Sequence, residues 1–174
     1  HDLILVEFRG DSVAEFESKL ERLESKIDKK VQTILRFTYP AEQANEWKVR
    51  KATQVLLQSI TGHQKPVEFI EDTAVLPRRL PEFIRRFQEV LGEHQTKGFF
   101  YAHAGAGCLH IRPLFNLMEG AEVEKMQRLA DDVCDLVLVF GGAMSGEHGD
   151  GLARSHLNRK IFGYEIYSAF QKLK

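Results

Sequence analysis

Only two cysteines, Cys108 and Cys134, occur in the 174 residues, and they form no Cys-x-x-Cys pair. A disulfide framework is therefore not what organises the chain, and two thiols in apolar surroundings fit a reduced, cytoplasmic protein. No apolar run approaches the roughly 18 residues needed to cross a bilayer, and no signal peptide is visible. An excess of one charge is missing too: 24 Lys and Arg against 25 Asp and Glu leave a formal net charge of −1. That balance gives no electrostatic footprint for nucleic acid or an anionic membrane. The pairs Arg78-Arg79 and Arg85-Arg86 are short and balanced by nearby acids, so they read as solvated faces. Low-complexity stretches, tandem repeats and flexible linkers are absent as well, and an apolar share of 43% supports a substantial core. One domain over residues 1–174 is expected. An initiator Met and a terminal tail are also lacking, so the chain is expected to be a piece of a longer polypeptide.

The elements follow from periodicity. Leu3–Phe8 is short and β-rich. Val13, Phe16, Leu20, Leu23 and Ile27 recur at helical steps, with Asp11 or Ser12 placed to cap. Val31, Thr33, Leu35 and Phe37 alternate like a half-buried strand. Pro40 ends that strand, and a helix carries Trp47, Arg50 and Leu57. A short strand at Val67–Ile70 precedes a third helix on Leu80, Phe83, Ile84, Phe87, Val90 and Leu91. Phe99–Ala102 and Leu109–Leu114 form a hairpin, and Val123 to Val137 a long fourth helix. Helical segments near 152–162 and 164–173 close the chain. This order predicts an α+β fold: a mixed, largely antiparallel sheet with helices mainly on one face, a ferredoxin-like-type sandwich.

Chemistry concentrates in two glycine-spaced segments. The first is His103-Ala-Gly-Ala-Gly-Cys-Leu-His110; the second is Gly141-Gly-Ala-Met-Ser-Gly-Glu-His-Gly-Asp-Gly151. If the hairpin set His103 opposite His110, both imidazoles would project from one sheet face. Two imidazoles and one carboxylate leave an open position on a divalent metal. Glu147 is the natural third ligand and Asp150 the understudy. The alternative is a pair of strand histidines with ordinary hydrogen bonds. His148, beside Glu147, could face a substrate as a general base, since a near-neutral pKa suits removal of a hydroxyl proton. Its alternative is decoration on an anion-binding turn.

Arg50, three residues after Trp47, and Arg112, two after His110, are candidates for gripping a substrate carboxylate. From position alone, a structural ion pair is the default for both. Arg112 is favoured because strand alternation puts it on the face of His110. Arg154, just past the second segment, could serve too. Cys108 reads as a packed thiol, not a nucleophile, and His63, His94 and His156 read as surface residues.

Taken together, His-Ala-Gly-Ala-Gly-Cys-Leu-His-Ile-Arg-Pro-Leu and Gly-Gly-Ala-Met-Ser-Gly-Glu-His-Gly-Asp-Gly-Leu-Ala-Arg-Ser resemble the C-terminal domain of FAD-linked oxidases. These are flavoenzymes of the vanillyl-alcohol oxidase class that oxidise D-lactate, glycolate or D-2-hydroxyglutarate. Asp72-Thr-Ala-Val-Leu-Pro-Arg-Arg-Leu80 and Trp47-x-x-Arg50 fit the same family, and the arginine after the second histidine resembles the large bacterial members fused to an iron–sulfur module. The resemblance implies an α+β cap over a flavin held by a separate domain. It implies a zinc or manganese ion on His103, His110 and Glu147, with His148 as the base during hydride transfer to FAD. It also implies a substrate-carboxylate arginine at Arg50, a 2-hydroxy acid as substrate, and a cytoplasmic location, with any contact to the inner face of the membrane made through the full-length protein. Two departures affect substrate choice: Arg112 stands where the hydroxyglutarate enzymes carry Asn, and Ile70 stands near the family's Lys. The isolated chain is expected to lack dehydrogenase activity and to self-associate through the apolar surface meant for the flavin domain. Rival readings are a metal-dependent hydrolase and a non-catalytic docking module.

Overall fold

The structure, a computed structural model, describes residues 3–27 and 31–174. The chain divides into two compact units, His1–Arg50 and Lys51–Lys174. No helix among the described residues is long and apolar enough to cross a membrane.

In the first unit, helix α1 spans Val13–Glu24 and starts where expected. The Ser12 hydroxyl accepts the Glu15 N–H at 3.2 Å, while the Glu15 carboxylate accepts the Asp11 N–H at 3.0 Å. This is a variant of the reciprocal capping box. Arg36 holds Glu24, in the last turn of α1, at 2.5 Å. Pro40 opens α2, Pro40–Gln58, at the helical position where a missing N–H costs nothing. The expected strands Leu3–Phe8 and Val31–Thr38 are not formed: the described residues there have no regular secondary structure. Alternation marks which side chains would share a face. A strand also needs a neighbour to complete its ladder, and neither run has one among the described residues.

The second unit is built around one strand. β4, Cys108–Phe115, pairs antiparallel with β3, Gly98–His103, along its length. Short β2, Thr73–Ala74, also pairs with β4, Thr73 opposite Leu109. Leu109 has Ala102 of β3 as its other partner, so β2 and β3 lie on opposite edges of β4. β1, Lys65–Pro66, meets the far end of β4, Lys65 opposite Phe115. Every described pairing is antiparallel, and the fold is α+β as expected. The predicted strand at Val67–Ile70 shifts to β1; Phe69 and Ile70 instead turn into the core.

Helices α3, Leu80–Glu93, and α4, Gly120–Val139, pack together against the sheet. α3 buries Leu80, Phe83, Phe87 and Leu91, one stripe at helical spacing. They join Leu109, Ile111 and Phe115 of β4 and Leu129, Val133 and Val137 of α4 in one core. Each such side chain contributes roughly 1.5–3 kcal/mol on burial. His94, expected at the surface, lies largely covered at the end of α3, where it meets Asp132 of α4 at 2.6 Å. After the glycine-rich loop come α5, Gly151–Arg154, and α6, Asn158–Leu173, the latter broken at Gly163 (φ 75°) where the two helical segments were expected to divide.

Candidate active site and metal centre

β4 sorts its side chains by parity. Leu109, Ile111 and Phe115 enter the core, whereas Cys108, His110 and Arg112 point to the opposite face. His110 and Arg112 are nonetheless each only 2% exposed. Tyr101 pairs with His110, and His103 pairs with Cys108. The register is thus two residues away from the expected pairing of 103 with 110. A shift of two preserves the face, because side chains repeat every second residue. His103 and His110 therefore still meet, with ring centroids 5.2 Å apart.

The glycine-rich loop docks onto the segment 71–75. Ala74 and Ala143 exchange backbone hydrogen bonds at 2.9 Å each, and the Gly146 N–H donates to the Asp72 carbonyl at 2.7 Å. On its other side this segment meets the hairpin turn, where the Val75 N–H donates to the Gly107 carbonyl. Two glycines are required by these approaches. A Cβ on Gly142 would lie 2.4 Å from the Ala74 carbonyl oxygen, and one on Gly107 (φ 72°) only 1.9 Å from that of Val75.

Asp72, fully buried and itself at φ 76°, organises the loop. Its carboxylate accepts from the Ser145 hydroxyl at 2.6 Å, the His148 N–H at 2.8 Å, the Glu147 N–H at 3.0 Å and the Cys108 thiol at 3.4 Å. Burial alone would raise its pKa, but Ser145, the two backbone amides and Cys108 together hold it at about 2. The same neighbourhood acts in reverse on Cys108. Burial, then Asp72 as acceptor and as charge, pushes that thiol up to about 12. Cys108 is thus a packed thiol, as expected.

Pinned in this way, Glu147 and His148 face the two hairpin histidines, His103 at the end of β3 and His110 in β4. The Nε2 atoms of His103, His110 and His148 lie 3.6, 3.1 and 3.3 Å from the same Glu147 oxygen, Oε1. His148 also stacks on His110, centroids 5.3 Å apart. Burial pushes His110 below the ordinary imidazole value, against the pull of Glu147 and Glu71, and His103 and His148 lower it further. A neutral imidazole is the form that binds a metal. Among the described residues, two groups bring metal-binding atoms within 4.8 Å of one another: Asp72, Cys108, His110 and Glu147, and Glu71, His110 and His148. His103, an expected ligand, belongs to neither, and nor does Asp150, the alternative third ligand.

The arginines divide. Arg50 belongs to the first unit. Arg112 reaches Glu68 at 2.5 Å and Glu71 at 3.3 Å, and donates to the Tyr101 hydroxyl at 3.0 Å. Arg154, expected as an alternative carboxylate holder, is buried and spends its guanidinium on the backbone carbonyls of Glu71 and Gly149, at 2.9 and 2.5 Å. Glu71 and Asp72 are the site residues that sequence reasoning missed. A signal was available: two adjacent acids inside the apolar run from Phe69 to Val75, where burial demands partners.

The chain belongs to the family of FAD linked oxidases, C-terminal domain, whose model matches residues 2–174. Among its relatives, the D-2-hydroxyglutarate dehydrogenase of Haemophilus influenzae is 30% identical over 99% of this chain, and that of Pseudomonas putida 32% over 98%. The D-lactate dehydrogenase of Archaeoglobus fulgidus is 33% identical over 58% of the chain. The match takes up 17% of each of the two hydroxyglutarate enzymes, so this chain spans about a sixth of their length.

Proposed function

We propose that this chain is the substrate- and metal-binding cap domain of a flavin-dependent D-2-hydroxy-acid dehydrogenase. The observation that carries the reading is the convergence of three imidazole Nε2 atoms on one carboxylate oxygen of Glu147. That donor set, nitrogen and oxygen with one exposed side, suits zinc or manganese. His103, His110 and Glu147 are the ligands in this reading. When bound, such a cation supplies Lewis acidity to the substrate hydroxyl, and FAD, held by a separate domain of the full polypeptide, accepts two electrons. An iron–sulfur module of the same polypeptide is the further partner we assign.

This chain's own residues bind, orient and move one proton. His148 accepts the C2 hydroxyl proton at Nε2 as the C2–H leaves as hydride, giving the 2-oxo acid. Arg112 is the group this site offers to the substrate carboxylate, and Arg50 is assigned to it on the family resemblance alone. Arg112 is held by Glu68, whose side chain is 42% exposed. A substrate carboxylate entering there takes the place of Glu68 and inherits a pre-oriented guanidinium. Two buried, unpaired thiols support a cytoplasmic location.

The test is elemental analysis of the dialysed protein beside Glu147→Gln, with turnover of D-2-hydroxy acids by the full-length flavoprotein. The reading expects near-stoichiometric metal in the wild type, lost in the variant, and turnover that falls with both Glu147→Gln and His148→Asn. Full-length enzyme that turns over normally with both substitutions would sink it.

A further inference from the structure

One buried side chain aimed at the site has no role in the reaction just described. Glu71, 5% exposed, is wedged between Arg112 and His148. Its Oε1 lies 3.2 Å from His148 Nδ1, and its Oε2 lies 3.3 Å from the Arg112 guanidinium. Its backbone carbonyl accepts from Arg154 at 2.9 Å, which fixes the main chain beneath the side chain. Arg112 is in turn held by Glu68 and Tyr101. The result is a chain of alternating charge, Glu68–Arg112–Glu71–His148, ending on the imidazole.

A carboxylate only accepts hydrogen bonds. The contact with Glu71 is therefore a hydrogen bond when His148 Nδ1 carries the proton, and the lone pair then lies on Nε2. Nε2 faces the cluster, 3.3 Å from the Glu147 carboxylate, but of the two contacts only that of Nδ1 with Glu71 has hydrogen-bond geometry. Stacking on His110 holds the plane of the ring. We propose that Glu71 is a positioning residue: it selects the Nδ1–H tautomer of His148 and presents Nε2 to the substrate hydroxyl, with the Arg112 charge beside its carboxylate. When Nε2 takes that proton, the imidazolium keeps its Nδ1–H on Glu71. The inference rests on the reading of His148 as the base.

The test uses the full-length flavoprotein and the substitution Glu71→Gln. The Arg112 charge, 3.3 Å from Oε2, favours the amide oxygen on its side, so the new amide turns its oxygen toward Arg112 and its NH2 toward His148. A donor at Nδ1 drives the proton to Nε2, the unproductive tautomer. The expected kcat falls by about 10²–10⁴-fold, with KM within roughly threefold and metal content unchanged. Glu71→Asp, which restores a carboxylate, recovers at least about tenfold of that loss. The double variant Glu71→Gln/His148→Asn is no slower than His148→Asn alone, because both act through one imidazole. Nitrogen NMR of the histidine-labelled wild-type holoprotein reads the tautomer without any substitution, and Nδ1–H on His148 is expected. A His148 protonated at Nε2, or near-wild-type kcat in Glu71→Gln while His148→Asn is slow, overturns the role of Glu71 and leaves the base in place. Normal turnover in His148→Asn overturns the base itself.

Discussion

Replacing Asp72 by Asn should detach the glycine-rich loop while leaving the backbone content. Asp72 sits at φ 76°, a left-handed conformation that Asn tolerates well, so strain is nearly unchanged. What changes is acceptor capacity. Ser145, His148 and Glu147 all donate to this carboxylate, at 2.6, 2.8 and 3.0 Å. An amide offers one oxygen, turns its NH2 toward donors and removes the charge. At least one donor loses its partner, at roughly 1–3 kcal/mol, and the bonds that remain lose their charge assistance, about half their strength. The total is on the order of 3–5 kcal/mol, a large share of the 5–15 kcal/mol typical of a domain. Part of it can appear as local opening instead of global unfolding. Urea denaturation followed by circular dichroism, together with hydrogen exchange at the Glu147 and His148 amides, captures both. A variant within about 1 kcal/mol of wild type and with unchanged protection at those two amides would refute the reasoning.

The same carboxylate makes a pH prediction. Its folded pKa, about 2, lies below the ordinary 3.8, so its contribution is present above that ordinary value and disappears as pH falls through about 2. Urea midpoints should fall by the equivalent of about 2 kcal/mol between roughly pH 4 and pH 2, and Asp72→Asn should lack that component. Gly107→Ala combines a left-handed φ with a 1.9 Å approach to a carbonyl, so it should cost about 3 kcal/mol or more. Gly120→Ala, with open space at a helix start, should be neutral or slightly stabilising; thermal melts of the pair decide it, and equal losses would be the contrary result. Cys108 and Cys134 should both resist alkylation near pH 8 in the native protein and react after denaturation, since burial raises both thiols. Rapid native modification of Cys108 would contradict its setting.

Local pattern carried much of this fold. The stripes of α3 and α4 and the hairpin strands stand where periodicity put them, because their partners are close in sequence or dictated by one buried face. The two early runs, Leu3–Phe8 and Val31–Thr38, carry equally good alternation and formed no strand among the described residues. Alternation reports a face, while a ladder depends on a second strand that a local window does not contain. The hairpin register went the same way: the pairing moved by two residues, and only the face, which parity controls, was legible in advance.

For the candidate site, residue types and local spacing alone picked out His103, His110, Glu147 and His148, because each pair lies within one short segment. The tertiary structure alone decided what stands behind them. Asp72 meets the Glu147 amide across 75 residues of chain, and Glu71 meets His148 across 77. No periodicity couples positions that far apart. Two acids folded into an apolar layer must find donors, and the loop and hairpin that pack around residues 71–75 are where those donors are.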